Sequence, residues 1–299
     1  MTKENQLYFD THQRLRKRKE GARWYVYVIL VLYAAIIILP FLIVISTSLK
    51  TWEEASSADF HLLPAKGWDV SGYGEVFKYK ANYEATMPTL VKSFFNTLCY
   101  IIPPTILGLF TSAIAGYSFA KLRFKAKNVM YTILLSTMMI PGIICLAPTF
   151  SVYDIIGWVD TPLPLMIPGM FGAAACVFFM RQFYMGIPDS LVEAAKIDGA
   201  GYLQIFFRIM VPLSVPALMA QGVLGFVGGY NDYFNPLIYL QSSDIYNLQV
   251  ALRVFSGVFA YRPNVVMAGT LVALVPTLIL YFIAQNYFVE GIVTSGIKQ

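Results

Sequence analysis

The residues of this 299-residue chain that could carry a reaction are few and poorly spaced for one. His12 and His61 are the only histidines, Cys99, Cys145 and Cys176 each stand alone in an apolar stretch, and no Gly-Lys dipeptide occurs. Phosphate cradling by a P-loop, four-ligand zinc binding and activation of a nucleophile by a neighbouring base all need groupings that this chain lacks. The chain is therefore read as a non-enzyme, with no catalytic residues, no metal and no cofactor of its own. Its most patterned polar segment is residues 187–216. Ser190 with Glu193 three residues on fits a capping box, and Gly199 fits the left-handed residue that ends a helix, which predicts a helix over Leu191–Asp198. Leu191, Ala194, Ala195 and Asp198 would share one face, where two alanines let another backbone approach closely. A helix of about two turns is unstable alone, so flanking structure or a docked partner must hold it.

The elements that hold this segment are apolar. Asp, Glu, Lys and Arg make up 13% of the chain, against about 25% in soluble proteins, while 57% is apolar and mean hydropathy is +0.60. A helix crosses a hydrocarbon core of about 30 Å with roughly 20 apolar residues. Six uncharged runs reach that length: Trp24–Ser46, Ser93–Ala120, Val129–Tyr153, Thr161–Met180, Ile209–Asn231 and Pro263–Val289. They predict an all-α membrane protein with one six-helix domain over residues 24–289, a basic stretch at 1–23 and a tail at 290–299. The first run is too long for a cleavable signal region and lacks a small-x-small site, so it should remain as an anchor. Of the 22 Lys and Arg, 15 fall in residues 1–23, 121–128, 181–208 and the tail, and seven fall in the loops between. The positive-inside rule then puts both termini in the cytoplasm, with Lys121, Arg123, Lys125 and Lys127 the strongest anchor. The net charge of +5 reflects orientation in lipid and leaves no basic face for nucleic acid. The loop from Thr47 to Lys92 should form a small ordered cap on the outside.

Prolines punctuate nearly every run: Pro40, Pro103-Pro104, Pro141 with Pro148, Pro162-Pro164-Pro168, Pro212 with Pro216, and Pro276. Each removes a backbone donor, which membrane helices tolerate where neighbours or a wet cavity satisfy the freed carbonyl. The fifth run carries Gly222, Gly225, Gly228 and Gly229, with Gln221 and Asn231 as its polar groups. Small residues on one face serve either close helix packing or room for a solute. Gln221, Gly225, Gly228, Tyr230, Asn231 and Tyr233 are the candidate substrate-path residues should that stripe leave room for a solute, since aromatic faces and side-chain amides can hold a polar one.

The segment itself resembles a known family. Glu193-Ala194-Ala195, then Gly199, then Ile209 and Pro212 reproduce the EAA pattern of permease subunits in binding-protein-dependent ABC importers, with Val211 in place of the usual Leu. The longer form EAAxxDGA, completed by Asp198 and Ala200, is similar to the carbohydrate branch, as are Phe206 and Pro216 downstream. Tyr230-Asn231-Asp232-Tyr233 with Pro236-Leu237, and Gln285 to Gly291 with Ser295-Gly296 and Lys298, resemble two further segments of that branch. The stretch Tyr246–Phe255 either resembles the external segment that reaches a binding protein or is an amphipathic interfacial helix.

The resemblance implies a prokaryotic inner or plasma membrane protein like the six-helix subunit of maltose-type importers. It would pair with a second permease, sit on two subunits that bind ATP and Mg, and receive a sugar from an extracytoplasmic sugar-binding protein. Glu193, Ala194, Ala195, Asp198, Gly199, Ala200, Ile209 and Pro212 would then couple the spans to the ATPase. An ion-driven secondary transporter, a membrane scaffold, or an importer permease for a polyol, glycerol phosphate or acidic saccharide are the alternatives.

Overall fold

The computed structural model describes residues 24–59 and 61–296, with side chains described as far as Ile283. The basic stretch 1–23 and the last three residues lie outside it, as do the side chains of the tail motif. The helices are α1 Trp24–Ser48, α2 Trp52–Ala55, α3 Ser71–Lys78, α4 Thr89–Lys121, α5 Lys127–Thr137, α6 Gly142–Ile155, α7 Leu163–Met170 and α8 Ala174–Met185. They continue with α9 Asp189–Ile197, α10 Tyr202–Ile205, α11 Val211–Tyr230, α12 Phe234–Tyr239, α13 Leu248–Val258 and α14 Pro263–Gly296. A five-residue π turn, Phe206–Met210, joins α10 to α11.

The chain divides into two compact units, one built on residues up to Gly72 with Tyr261–Ala268, the other on Tyr73–Ala260 with residues from Gly269 on. In the first unit α1 is apolar on every side and exposed over nearly its whole length, as a helix surrounded by lipid would be. The segment after it is pinned by Glu54, whose buried carboxylate accepts the Ala65 and Lys66 backbone N–H groups at 2.8 and 3.0 Å. Those two donors hold the Glu54 carboxyl below the usual carboxylate range. The Lys50 ammonium donates to the His61 carbonyl, and the Trp52 indole N–H donates to Tyr261 O at 2.8 Å.

The second unit is organised along α4, which packs against α7, α8, α11 and α13. The close packing depends on glycine: a Cβ at Gly108 would lie 2.2 Å from Gly169 O, and one at Gly116 would lie 2.8 Å from the Met180 Cβ. One of the expected spans is sharply bent, and another carries a short interruption while still running as one span over Leu163–Met185. The run Val129–Tyr153 is split into α5 and α6, which meet at 93°. Pro141, the residue before α6, has no N–H to continue the ladder and disfavours helix at Ile140. The run Thr161–Met180 becomes α7 and α8, interrupted at Gly172, whose φ of +86° suits glycine. The backbone groups freed there find partners on α4: the Ser112 hydroxyl accepts from Ala173 N–H at 3.3 Å, and Thr111 donates to Met170 O at 3.1 Å. The fifth span starts earlier than the expected Ile209, because the π turn extends α11 back to Tyr202.

Candidate functional site

The short helix α9 is where the patterned segment lies, but two expectations about it fail. It begins at Asp189 after Pro188 and has no side-chain cap, so Ser190 and Glu193 form no capping box. Its entry is fixed instead by Lys121 at the end of α4, whose ammonium donates to Ile187 O and to the Asp189 carboxylate, each at 2.5 Å. That bond holds the Asp189 carboxyl below its ordinary range. The two alanines also point apart. Val192 and Ala195 are buried in one core cluster with Tyr117, Tyr184, Phe206 and Met210, while Ala194, Glu193, Leu191 and Asp198 are exposed. Ile197 is 87% exposed, an apolar side chain left uncovered beside Ala194.

The far end of α9 closes as the glycine suggests. Gly199 has φ +79°, its N–H donates to Lys196 O at 3.0 Å, and Ala200 N–H donates to Ala195 O at 2.9 Å. These two bonds are the Schellman motif, which satisfies carbonyls that the helix end leaves open. The chain then turns into α10, with Gln204 accepting from Gly201 N–H at 3.0 Å. The π turn follows from Pro212. Proline cannot donate to Arg208 O, and Val211 N–H reaches back five residues to Phe206 O. Ile209 lies in this turn, half-buried against the core cluster, whereas Pro212 is exposed in the first turn of α11. Under them the Tyr184 hydroxyl meets Ser214 Oγ at 3.2 Å, and Ser214 donates to Val211 O at 3.1 Å, fastening α8 to α11.

Farther along α4 two clefts of about 360 Å³ each share Tyr100, Ile101, Leu165 and Gly229. The first adds the polar side chains of Thr97, Thr149, Asp232, Asn235 and Asn247, with Tyr153 and Tyr239 as aromatic walls. The rings of Tyr153 and Trp158 stack at 5.5 Å, and Tyr239 packs edge-on to Tyr153 at 5.3 Å. The Asp232 carboxylate accepts Asn235 Nδ2 at 2.9 Å, and Asn247 Nδ2 donates to Asp232 O at 2.8 Å. The second cleft is lined by Thr105, Ser112, Cys176, Gln221 and Gly225. Hydroxyl, amide and aromatic groups together can bind a neutral polyhydroxylated solute, with rings against C–H faces and amides on hydroxyls.

Only part of the candidate substrate path reaches these clefts. Gln221 and Gly225 line the second, together with Gly229. Tyr230 is 1% exposed, stacks on Phe226 at 5.9 Å and donates to Ala273 O at 2.8 Å, so it bolts α11 to α14 and does not face a cleft. Asn231 donates to Val227 O at 2.9 Å in its own helix, and Tyr233 is exposed, outside both clefts. Gly228 has nothing within 4 Å of a would-be Cβ, and Gly222 and Gly225 have only ordinary contacts at 3.6 Å. Close packing in this stripe falls to Gly229 alone, whose would-be Cβ lies 2.8 Å from Ile101. Thr97, Thr149, Asn235 and Asn247 escape a reading of the sequence because they come from α4, α6, α12 and the turn before α13. The helix α13 turns its apolar residues Leu248, Ala251 and Phe255 into the protein, so that face is covered by the chain itself.

A family model described as "Binding-protein-dependent transport system inner membrane component" matches residues 87–292. The arabinooligosaccharides transport system permease protein AraQ of Halalkalibacterium halodurans is 33% identical over 69% of this chain and 73% of that protein. The lactose transport system permease protein LacG of Rhizobium radiobacter is 34% identical over 68% of this chain and 74% of its own length. Among solved structures, a chain of a bacterial ABC transporter involved in the import of the acidic polysaccharide alginate superposes with a TM-score of 0.75. It is 27% identical and the match covers 91% of this chain and 98% of that one. The same α9-centred segment, its helical frame and these matches lead to one assignment: the chain belongs to the family of binding-protein-dependent transport system inner membrane components, the permease subunits of ABC importers.

Proposed function

We propose that this chain is one of two permease subunits of an ATP-driven importer for an oligosaccharide, and that α9 is the helix on which a separate ATPase pushes. The observation that carries the reading is the shape of α9. It is rigidly closed at Gly199, anchored through Val192 and Ala195, and still offers Glu193, Ala194 and the 87%-exposed Ile197 outward. A capped peg rooted in a core rotates helices as a unit, whereas a flexible loop would absorb the push. Because Glu193 caps nothing in its own helix, its carboxylate is available to a partner. Asp198, Gly199 and Ala200 would set the peg's exit angle, and Ile209 and Pro212 would pass its motion to α11 through the π turn. The basic bias of residues 121–128 and 181–208 supports a cytoplasmic location for this end and for both termini.

The sugar is supported by the aromatic, hydroxyl and amide lining of the first cleft and by the transport names of AraQ and LacG. A solved alginate ABC transporter in complex with a pentasaccharide-bound periplasmic protein supports an extracytoplasmic binding protein as partner. ATP and Mg would be held by the two ATPase subunits, and family membership favours this arrangement over ion coupling. The test is uptake of labelled oligosaccharides into liposomes holding the second permease, both ATPase subunits and the binding protein. Uptake should require ATP, and the isolated chain should hydrolyse none. Uptake without the ATPase, or hydrolysis by the isolated chain, would refute the proposal.

A further inference from the structure

We infer that Lys121 is a positioning residue that makes α9 and α4 move as one body, delivering a load on α9 to the clefts. The inference rests on the reading of α9 as the ATPase-docking helix. Lys121 is the last residue of α4, and its side chain is 5% exposed. A charge so withdrawn from water is costly unless its donors are used. Here they go to α9's entry, the Ile187 carbonyl and the Asp189 carboxylate, which bracket Pro188. The rest of this helix end is fixed as well: Arg181 of α8 donates to Phe119 O at 3.2 Å, and Lys127 of α5 donates to Leu122 O at 2.9 Å. Cations suit the carbonyl end of a helix.

At its other end α4 is bonded as firmly. Asn96 donates to Asp244 O and Tyr246 O at 3.0 and 3.1 Å, Tyr100 donates to Ile245 O at 3.0 Å, and Thr97 Oγ1 accepts Leu248 N–H at 2.8 Å. Thr97 and Tyr100 also line the first cleft, and Gly108 and Ser112 line the second. One helix, continuous from Thr89 to Lys121, therefore joins the entry of α9 to both clefts and to residues 244–248. Lying between two sites is not itself coupling, so the clamp must be tested by breaking it.

The two bonds of Lys121 differ in what they should contribute. Asp189 is 76% exposed, where an ion pair is screened and weak. The Ile187 carbonyl bond is the less exposed of the two and should dominate. In the complete complex, the readout is ATP hydrolysis with and without loaded binding protein, alongside co-purification of the ATPase. Lys121→Met should keep assembly and basal hydrolysis while stimulation falls about tenfold or more, a factor equal to roughly 1.4 kcal/mol of coupling. Lys121→Arg should restore at least about half, because a guanidinium fork can span both acceptors. Asp189→Asn should stay within about twofold of the parent. If Lys121→Met does not assemble, Asp189→Lys decides. It sits on an exposed site, and a second ammonium beside the 5%-exposed Lys121, together with reversed charge in the first turn of α9, should draw Lys121 off the Ile187 carbonyl and cut stimulation at least about threefold. Stimulation within twofold of the parent in Lys121→Met, or in Asp189→Lys where the former fails to assemble, would overturn the inference, as would equal losses in Lys121→Met and Asp189→Asn. Failure of Ala194→Cys to crosslink to the ATPase in any nucleotide state would instead remove the docking reading beneath it.

Discussion

Replacing Gly108 by Ala should destabilise the protein although alanine is the better helix former. The added Cβ would lie 2.2 Å from Gly169 O and 3.4 Å from Gly169 C, both backbone atoms of α7. An ordinary carbon–oxygen contact needs about 3.3 Å, so α4 and α7 must part by roughly 1 Å. Overpacking of this kind costs about 1–3 kcal/mol, and a clash with backbone that no rotamer can relieve belongs at or above the top of that range. The gain in helix propensity from Gly to Ala returns about 1 kcal/mol, leaving a net loss of about 2 kcal/mol. Gly228→Ala is the control, because nothing lies within 4 Å of its Cβ. It should be neutral or stabilising by up to about 1 kcal/mol. The same chemical change at two helical glycines should thus separate the variants by about 2–3 kcal/mol, roughly 3–5 °C in midpoint for a chain of this size. Thermal unfolding of the detergent-solubilised complex, followed by tyrosine and tryptophan fluorescence, measures the gap. A Gly108→Ala protein as stable as the parent, or a Gly228→Ala protein less stable than Gly108→Ala, would refute the packing argument.

Cysteine at Ala194 should crosslink to a cysteine in the ATPase groove with a yield that changes with nucleotide, while cysteine at the 8%-exposed Ala195 should not; equal yields at both would contradict the burial of Ala195. Gly199→Asp should insert into the membrane at normal level yet import poorly, since a side chain at φ +79° costs about 1 kcal/mol or more and alters the exit of α9; uptake at the parental rate would count against the docking geometry. Tyr230→Phe should lose about 1 kcal/mol of stability with its bond to Ala273 O, and leave the apparent affinity for sugar unchanged in uptake assays; a changed affinity would return Tyr230 to the substrate path. The Asp160 carboxylate accepts from Ser242 Oγ and the Gln241 and Ser242 N–H groups, and the Ser242 hydroxyl bond above all holds its carboxyl below the usual carboxylate range. A depressed carboxylate stabilises above its unfolded pKa and loses that contribution only as pH falls through the lower folded value. Limited proteolysis should therefore cut the loop around Asp160 equally slowly at pH 7 and pH 5 in the parent and faster at both in Asp160→Asn; opening of the parent between those pH values would contradict it.

Much of the architecture follows from the chain's chemistry alone. Long uncharged runs are stable in lipid as helices that satisfy their own backbone, so the approximate place of the long apolar helices is legible in runs such as Trp24–Ser46 or Pro263–Val289, though the number of separate helices is not. The left-handed Gly199 was legible for the same local reason, since few other residues tolerate that φ. What the residues cannot state is which neighbour satisfies a broken backbone or a capped end. Pro141 announces a break but not a 93° bend, and Ser190 with Glu193 spells a cap that Lys121, 68 residues away from Asp189, replaces. Tyr230 and Asn231 look like sugar ligands by type, yet their side chains are used within the protein, and Thr97, Thr149, Asn235 and Asn247 take the cleft because helix packing converges there. Local sterics and burial are decided by short stretches of sequence, whereas the direction a side chain faces is decided by crossings of helices far apart in the chain.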